Sequence, residues 1–325
     1  MKNENFVFEN KITGEEKEKM NKYSSITKEL SRGKMEGEIE KNEEELKFLK
    51  FANKYIKEEL QSFGIEEFED IDPNQFHFLN EEAYCKATRN LGSLAFVVPL
   101  LENAYVNIEE MPHRLQLYKT ILHEALHLYS FQRNQVYIED GEDGDEEKYL
   151  LTYRYGYSND NMVKDKFGED HSHFMGLNEA MTDLIVLDIL RGHQRELIKE
   201  FNVTFEEALK PVSYNGYKDL FIFIMQKIAE KLGEDYEDVW GRFKKGYFTG
   251  EMMHLRDIEK VFGKGSTRFL AAIDSFVRDT NTEMDKEVFA FFETDDEHVR
   301  EQIAQKVLDD REWNAYLKRR YGDHK

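Results

Sequence analysis

Two histidines four residues apart, His123 and His127, stand in the run Ile121-Leu122-His123-Glu124-Ala125-Leu126-His127. A helix turns by about 100° per residue, so positions i and i+4 lie about 40° apart on one face, one turn of rise from each other. Two imidazoles so placed can share one tetrahedral Zn²⁺ ion. Glu124, beside His123, can reach a water at such a metal and is the candidate general base. A catalytic zinc also needs a third protein ligand and an open position. The run Gly176-Leu177-Asn178-Glu179-Ala180-Met181-Thr182-Asp183 offers Glu179 as that ligand. Asp183, one turn further on the same face, could accept a hydrogen bond from the outer nitrogen of a ligating histidine and so fix its tautomer. Asn178, next to Glu179, is a second candidate for such support.

These residues require two helices. Over residues 112–132, Tyr118, Ile121, Leu122, Ala125, Leu128 and Tyr129 fall on one face. Gln116, Thr120, His123 and His127 fall on the other. The pattern predicts an amphipathic helix with its apolar stripe on a core and its histidines towards a cleft. Residues 176–191 read as the second helix, with Leu177, Ala180, Met181, Leu184, Leu187 and Ile189 as its apolar side and Gly192 as its stop. Short runs at 75–79, 94–98 and 104–108 are rich in Phe, Val, Tyr and Ile and are divided by Gly92, Pro99 and Asn103. They predict strands of a small mixed sheet. Residues 43–63 predict a helix with a Lys/Glu-rich outer face, and most of the chain beyond 200 is helical in pattern.

H-E-x-x-H at 123–127 followed by N-E-x-x-T-D at 178–183 resembles the gluzincin (thermolysin-like) zinc metallopeptidases. The resemblance covers the two helices and the strand before them. The stretch between His127 and Glu179 is longer than in that family, which marks an insertion. Ser213-Tyr214, Tyr217 and Gly246-Tyr247-Phe248-Thr249-Gly250 also look like features of small bacterial H-E-x-x-H domain proteins. The resemblance implies a mostly helical α+β fold of the zincin type with two lobes. On this reading an N-terminal helical segment, 1–66, precedes a catalytic lobe, 67–200, and a helical C-terminal lobe, 201–325. It implies Zn²⁺ on His123, His127 and Glu179 and hydrolysis of peptide bonds in peptide or protein substrates with Glu124 as base. It also implies an oxyanion donor, for which Tyr214, Tyr217 and His173 are the candidates. Asn103-Ala104-Tyr105-Val106 looks like the family's edge strand, which pairs with extended substrate.

Composition narrows the alternatives. The chain has 325 residues, 40% of them hydrophobic, which is enough to bury a sizeable core. A net charge of −21 argues against nucleic acid, whose phosphates need a basic footprint. No apolar run is long enough to span a bilayer. The N-terminus lacks the apolar core of a secretory signal, and Cys85 stands alone, so no intrachain disulfide forms and a cytoplasmic setting is expected.

The insertion, 133–175, predicts a hairpin from residues 135–138 and 149–157, with an acidic, Gly-containing tip at 140–147 that borders the cleft and restricts entry. His171 and His173 read as rim residues before the second helix. Three other functions share the motif, among them a non-peptide zinc hydrolase, which the expected edge strand disfavours. A second is a non-catalytic zinc module, which the retention of Glu124 opposes. The third is a highly selective toxin-like or regulatory protease with the same chemistry. The oligomeric state is open at this level.

Overall fold

A computed structural model describes residues 11–14, 33–66, 68–88, 93–98, 101–139, 148–161, 171–201, 215–273 and 286–322. Among the described residues the protein is a mostly helical α+β chain. It divides into two compact units, Met1–Tyr155 with Ile185–Lys210, and Gly156–Leu184 with Pro211–Lys325.

The first unit is built around its helices and a small sheet. Helix α1, Glu43–Ser62, begins at a reciprocal cap. The Asn42 side chain accepts from the N–H groups of Glu44 and Glu45, and the Glu45 carboxylate accepts from the Asn42 N–H. Its stripe of Phe48, Leu49, Phe51, Ala52, Tyr55, Ile56 and Leu60 is buried, as its spacing predicts. Asp72 and Pro73 then turn the chain into β2, Phe76–Leu79. Helix α2, Glu81–Thr88, which the sequence reading did not anticipate, leads to β3, Ala95–Val98, and β4, Asn103–Asn107. Counting β1 as Lys11–Gly14, the sheet order is β2-β4-β3, with β2 parallel and β3 antiparallel to β4. Strand β4 is therefore central. The expected role of Asn103-Ala104-Tyr105-Val106 as a substrate-pairing edge is corrected, because β2 and β3 pair with this strand on either side.

Helix α3, Arg114–Tyr129, packs against α1, β3 and β4. It is buried on nearly every side, including Gln116, Lys119 and Thr120, so the expected amphipathic split does not hold. The apolar stripe meets α1, where Tyr118 packs against Phe48 and Phe51 at centroid distances of 5.3 and 5.6 Å. The polar face is covered by neighbours as well. Strands β5, Gln132–Glu139, and β6, Lys148–Tyr155, form the antiparallel hairpin read from the sequence, with Gln132 opposite Tyr155 and Glu139 opposite Lys148. Its tip at 140–147 lies outside the described residues. Strand β1 runs parallel to β5.

The second unit opens with a turn at Gly156 and the antiparallel pair β7, Ser158–Asn161, and β8, His171–His173. Helix α4, Met175–Gly192, follows. Its residues up to Leu184 belong to the second unit and those from Ile185 to the first, where α5, Gln194–Phe201, continues the chain. In the first unit His193 stacks on Tyr55 at 3.6 Å, and Lys54 pairs with Glu196.

Among the described residues, seven further α-helices belong to the second unit. They are α6, Asn215–Leu232, α7, Tyr236–Thr249, α8, Arg256–Phe262, and α9, Ser266–Ala272. The last three are α10, Lys286–Glu293, α11, Glu297–Val307, and α12, Asp310–Tyr321. Aromatic pairs join them, with Phe221 against Phe243 at 5.1 Å and Phe269 stacked on Phe291 at 3.8 Å. No described helix is long and apolar enough to cross a membrane.

Candidate metal centre

Among the described residues, a single group of three metal-ligating side chains comes together: His123, His127 and Glu179. One ligand atom from each lies within 4.8 Å of the others. The histidines owe their placement to the burial of α3. Ile121, Leu122, Ala125 and Leu126 are almost wholly buried around them, while His127 is buried and His123 half-buried. Both ends of the helix are satisfied. His113 Nδ1 accepts from the Gln116 N–H at 3.1 Å. At the other end, Ser130 Oγ donates to the His127 carbonyl at 2.8 Å and Gln132 Nε2 to the Leu128 carbonyl at 3.2 Å. These bonds hold the last turn, which carries His127, against fraying.

The two imidazoles meet edge to face, and their Nε2 atoms stand 3.0 Å apart. Ligands on a tetrahedral zinc, each at about 2.0–2.1 Å, would lie about 3.3 Å apart. The pair is thus close to the separation that one shared ion needs. Two imidazoles and a carboxylate are also the donor set of known hydrolytic zinc sites. Glu124 is buried and is not one of the three. Its negative charge acts on Tyr84 of α2, whose phenol is pushed up to about 12, chiefly by burial, while a hydrogen bond with Ser93 opposes the rise. Nothing in the charged run around Tyr84 marks it as a neighbour of the motif.

Glu179 sits near the start of α4, and the residues beside it are held in the second unit. The chain enters the helix through Phe174, at a left-handed φ of 60°, whose N–H donates to the Ala271 carbonyl at 3.2 Å. Asn178, fully buried, accepts from the Tyr157 N–H at 2.9 Å. Thr182 donates to the Asn178 carbonyl at 2.9 Å, and its hydroxyl lies 2.8 Å from that of Tyr247. Asp183 Oδ2 accepts from Lys218 Nζ at 2.9 Å, both side chains buried.

The turn whose Tyr157 N–H donates to Asn178 depends on glycine. Gly156 has a φ of 51°, and a Cβ there would fall 2.3 Å from Asn178 Oδ1. Gly246 plays the same part on α7, where a Cβ would fall 2.2 Å from His254 Cε1 and 2.6 Å from the Tyr157 hydroxyl. The sequence reading singled out Gly246 and Tyr247 without a role. The structure makes them the packing surface behind Tyr157 and Thr182.

Of the three oxyanion candidates, Tyr217 is buried on α6 and Tyr214 lies outside the described residues. His173 has its Nε2 3.4 Å from Glu312 Oε1 of α12. Burial pushes the Glu312 carboxyl up, but the His173 hydrogen bond and the Arg268 guanidinium outweigh it and hold the group below the usual carboxylate range. The His171 side chain is likewise outside the described residues. Lys218, Tyr157 and Tyr84 were not anticipated. Lys218 has no local signal, since a lysine at the start of a helix reads as a solvated residue.

No family model, no curated protein and no solved structure matches this chain.

Proposed function

We propose that the chain is a gluzincin-like zinc metallopeptidase, with His123, His127 and Glu179 holding one Zn²⁺ and Glu124 acting as general base. The observation that carries this reading is the convergence of His123, His127 and Glu179, with a buried glutamate beside the first ligand that is not itself in the group. A zinc ion on this donor set supplies Lewis acidity and lowers the pKa of its water from roughly 15.7 to about 7. With such an ion bound, the Glu124 carboxylate would accept a proton from water as its oxygen bonds to the peptide carbonyl carbon, and would give it to the amine nitrogen as the C–N bond breaks. Burial serves this role, because a carboxylate away from bulk water keeps its proton transfers within the site. Asp183 and Asn178 orient the ligand residues. Tyr217, Tyr214 or His173 donates to the developing oxyanion, which needs a donor besides the metal. A peptide or protein is the substrate, in a cytoplasmic setting.

A non-catalytic zinc module would use the same three ligands but has no need of Glu124, and structural sites are usually closed by four protein ligands. Metal analysis after dialysis decides the centre. One zinc per chain is expected, lost in Glu179→Ala. Full retention by that variant would move the third ligand elsewhere. Cleavage of a peptide library, abolished by a chelator and restored by Zn²⁺, decides the activity. Zinc-loaded protein that cleaves nothing would favour the non-catalytic module or a highly selective protease.

A further inference from the structure

Helix α4 carries Glu179 among buried polar side chains; the hydrolytic reading gives Asn178 and Asp183 an orienting role and leaves Thr182 and their partners without one. Down the helix axis, at about 100° per residue, Asn178 stands about 100° and Thr182 about 60° to one side of Glu179, and Asp183 about 40° to the other. All three are buried, and each is bonded to a different element of the second unit. Asn178 is bonded to the turn at Tyr157, Thr182 to Tyr247 on α7 and Asp183 to Lys218 on α6. The helix also buries Leu177, Ala180 and Met181, but apolar burial is non-directional and tolerates a small rotation. Hydrogen bonds weaken steeply with misalignment. Bonds on both sides of Glu179 therefore lock the rotation of this part of the helix about its own axis.

Lys218 is the costly member of the lock. Its side chain is 6% exposed and that of Asp183 is 10% exposed. A buried ion pair is a weak stabiliser, since desolvation of both charges offsets their attraction and an apolar pair of similar volume holds a helix as well. What the ion pair adds is direction at the position one turn from Glu179, on the same face. We propose that Lys218 is a positioning residue for the metal centre. Through Asp183 it sets the rotation of the first turns of α4, and so the direction in which the Glu179 carboxylate is presented. A second consequence follows from charge. Held by Lys218, the Asp183 carboxylate is kept from turning one turn along its face to compete with Glu179 as a ligand. This inference rests on the metal-centre reading above.

The test uses the full chain, with Zn²⁺ affinity measured by competition against a chromophoric chelator and ligand geometry by the visible spectrum of the Co²⁺-loaded protein. Lys218→Met should lower Zn²⁺ affinity by about 10–100-fold, the range seen when outer support of a metal ligand is removed. It should also change the shape of the Co²⁺ spectrum while the far-ultraviolet circular dichroism stays the same. Lys218→Arg, which keeps a cation opposite Asp183, should recover most of the affinity. Tyr247→Phe removes the hydroxyl from the other flank and should act in the same direction, less strongly. Wild-type affinity and an unchanged Co²⁺ spectrum in Lys218→Met would overturn the proposal, whatever happened to its stability. Should Lys218→Met not fold, the double variant Asp183→Asn with Lys218→Met leaves no buried charge unpaired and gives the same decision. A wild-type protein that binds neither Zn²⁺ nor Co²⁺ would instead remove the metal centre itself.

Discussion

Helix α3 brings its histidines into place by apolar burial, while the first half of α4 presents Glu179 by directional polar bonds. On α3, Leu115, Leu117, Tyr118, Ile121, Leu122, Ala125 and Leu126 are buried, and the helix ends are capped by His113 and Ser130. On α4, three buried polar residues next to Glu179 each reach a separate partner. The difference follows from what each helix must deliver. Two imidazoles four residues apart are already mutually placed by helix geometry, so α3 only has to be held firmly. A lone carboxylate has no such internal reference. Its direction depends on the rotation of its helix, and only groups with angular preference can set that.

The comparison breaks first at Glu124. Glu124→Gln keeps the volume and leaves both histidines alone, so zinc content and stability should persist. Turnover should fall by about 10²–10⁴-fold, because the amide cannot take the proton. Undiminished cleavage by this variant would show that α3 supplies ligands and no base.

Next comes the contrast in stability. Leu122→Ala empties a fully buried site on α3 and should cost about 2–5 kcal/mol in urea unfolding. Tyr247→Phe removes one hydrogen bond behind α4, while Thr182 keeps its bond to the Asn178 carbonyl, and should cost only about 1 kcal/mol. Equal losses would mean that the two helices are held by the same kind of force.

A further contrast concerns alkaline pH in the first unit. Tyr84 and Tyr129 are both pushed up to about 12, burial being the main cause in each. A phenol ionises to an anion, and these folded values lie above the unfolded value of about 10. Their contribution is therefore complete below pH of about 10 and is lost as pH rises through about 12. Absorbance titration of phenolate alongside unfolding curves should show late-titrating tyrosines and falling stability over that window, reduced in Tyr84→Phe. Titration of every tyrosine near 10 with no loss of stability would rule this out.

Local pattern carried much of what was legible. The hairpin of β5 and β6, the three short strands, the helix beginning at Glu43 and the part of α6 from Leu220 to Leu232 all show as periodicity and turn residues in the chain, whereas the first turn of α6 does not. Helix α2 was missed because Glu81-Glu82-Ala83-Tyr84 has too short an apolar pattern to signal a helix. The resemblance placed Asn103-Ala104-Tyr105-Val106 at a sheet edge, but which strands flank it is settled by pairing across distant parts of the chain.

By itself the sequence determined the identity and spacing of the candidate ligands, because helix geometry turns a separation of four residues into a shared face without reference to the rest of the fold. It also determined that Glu179 could join them and that Glu124 stood beside them. Only the tertiary structure decided that α3 is buried on nearly every side, that His173 faces Glu312 and that Asp183 is held by Lys218. The physical reason is range. A helix periodicity is written within a dozen residues, whereas a buried ion pair between positions 35 apart exists only once packing has excluded water from both.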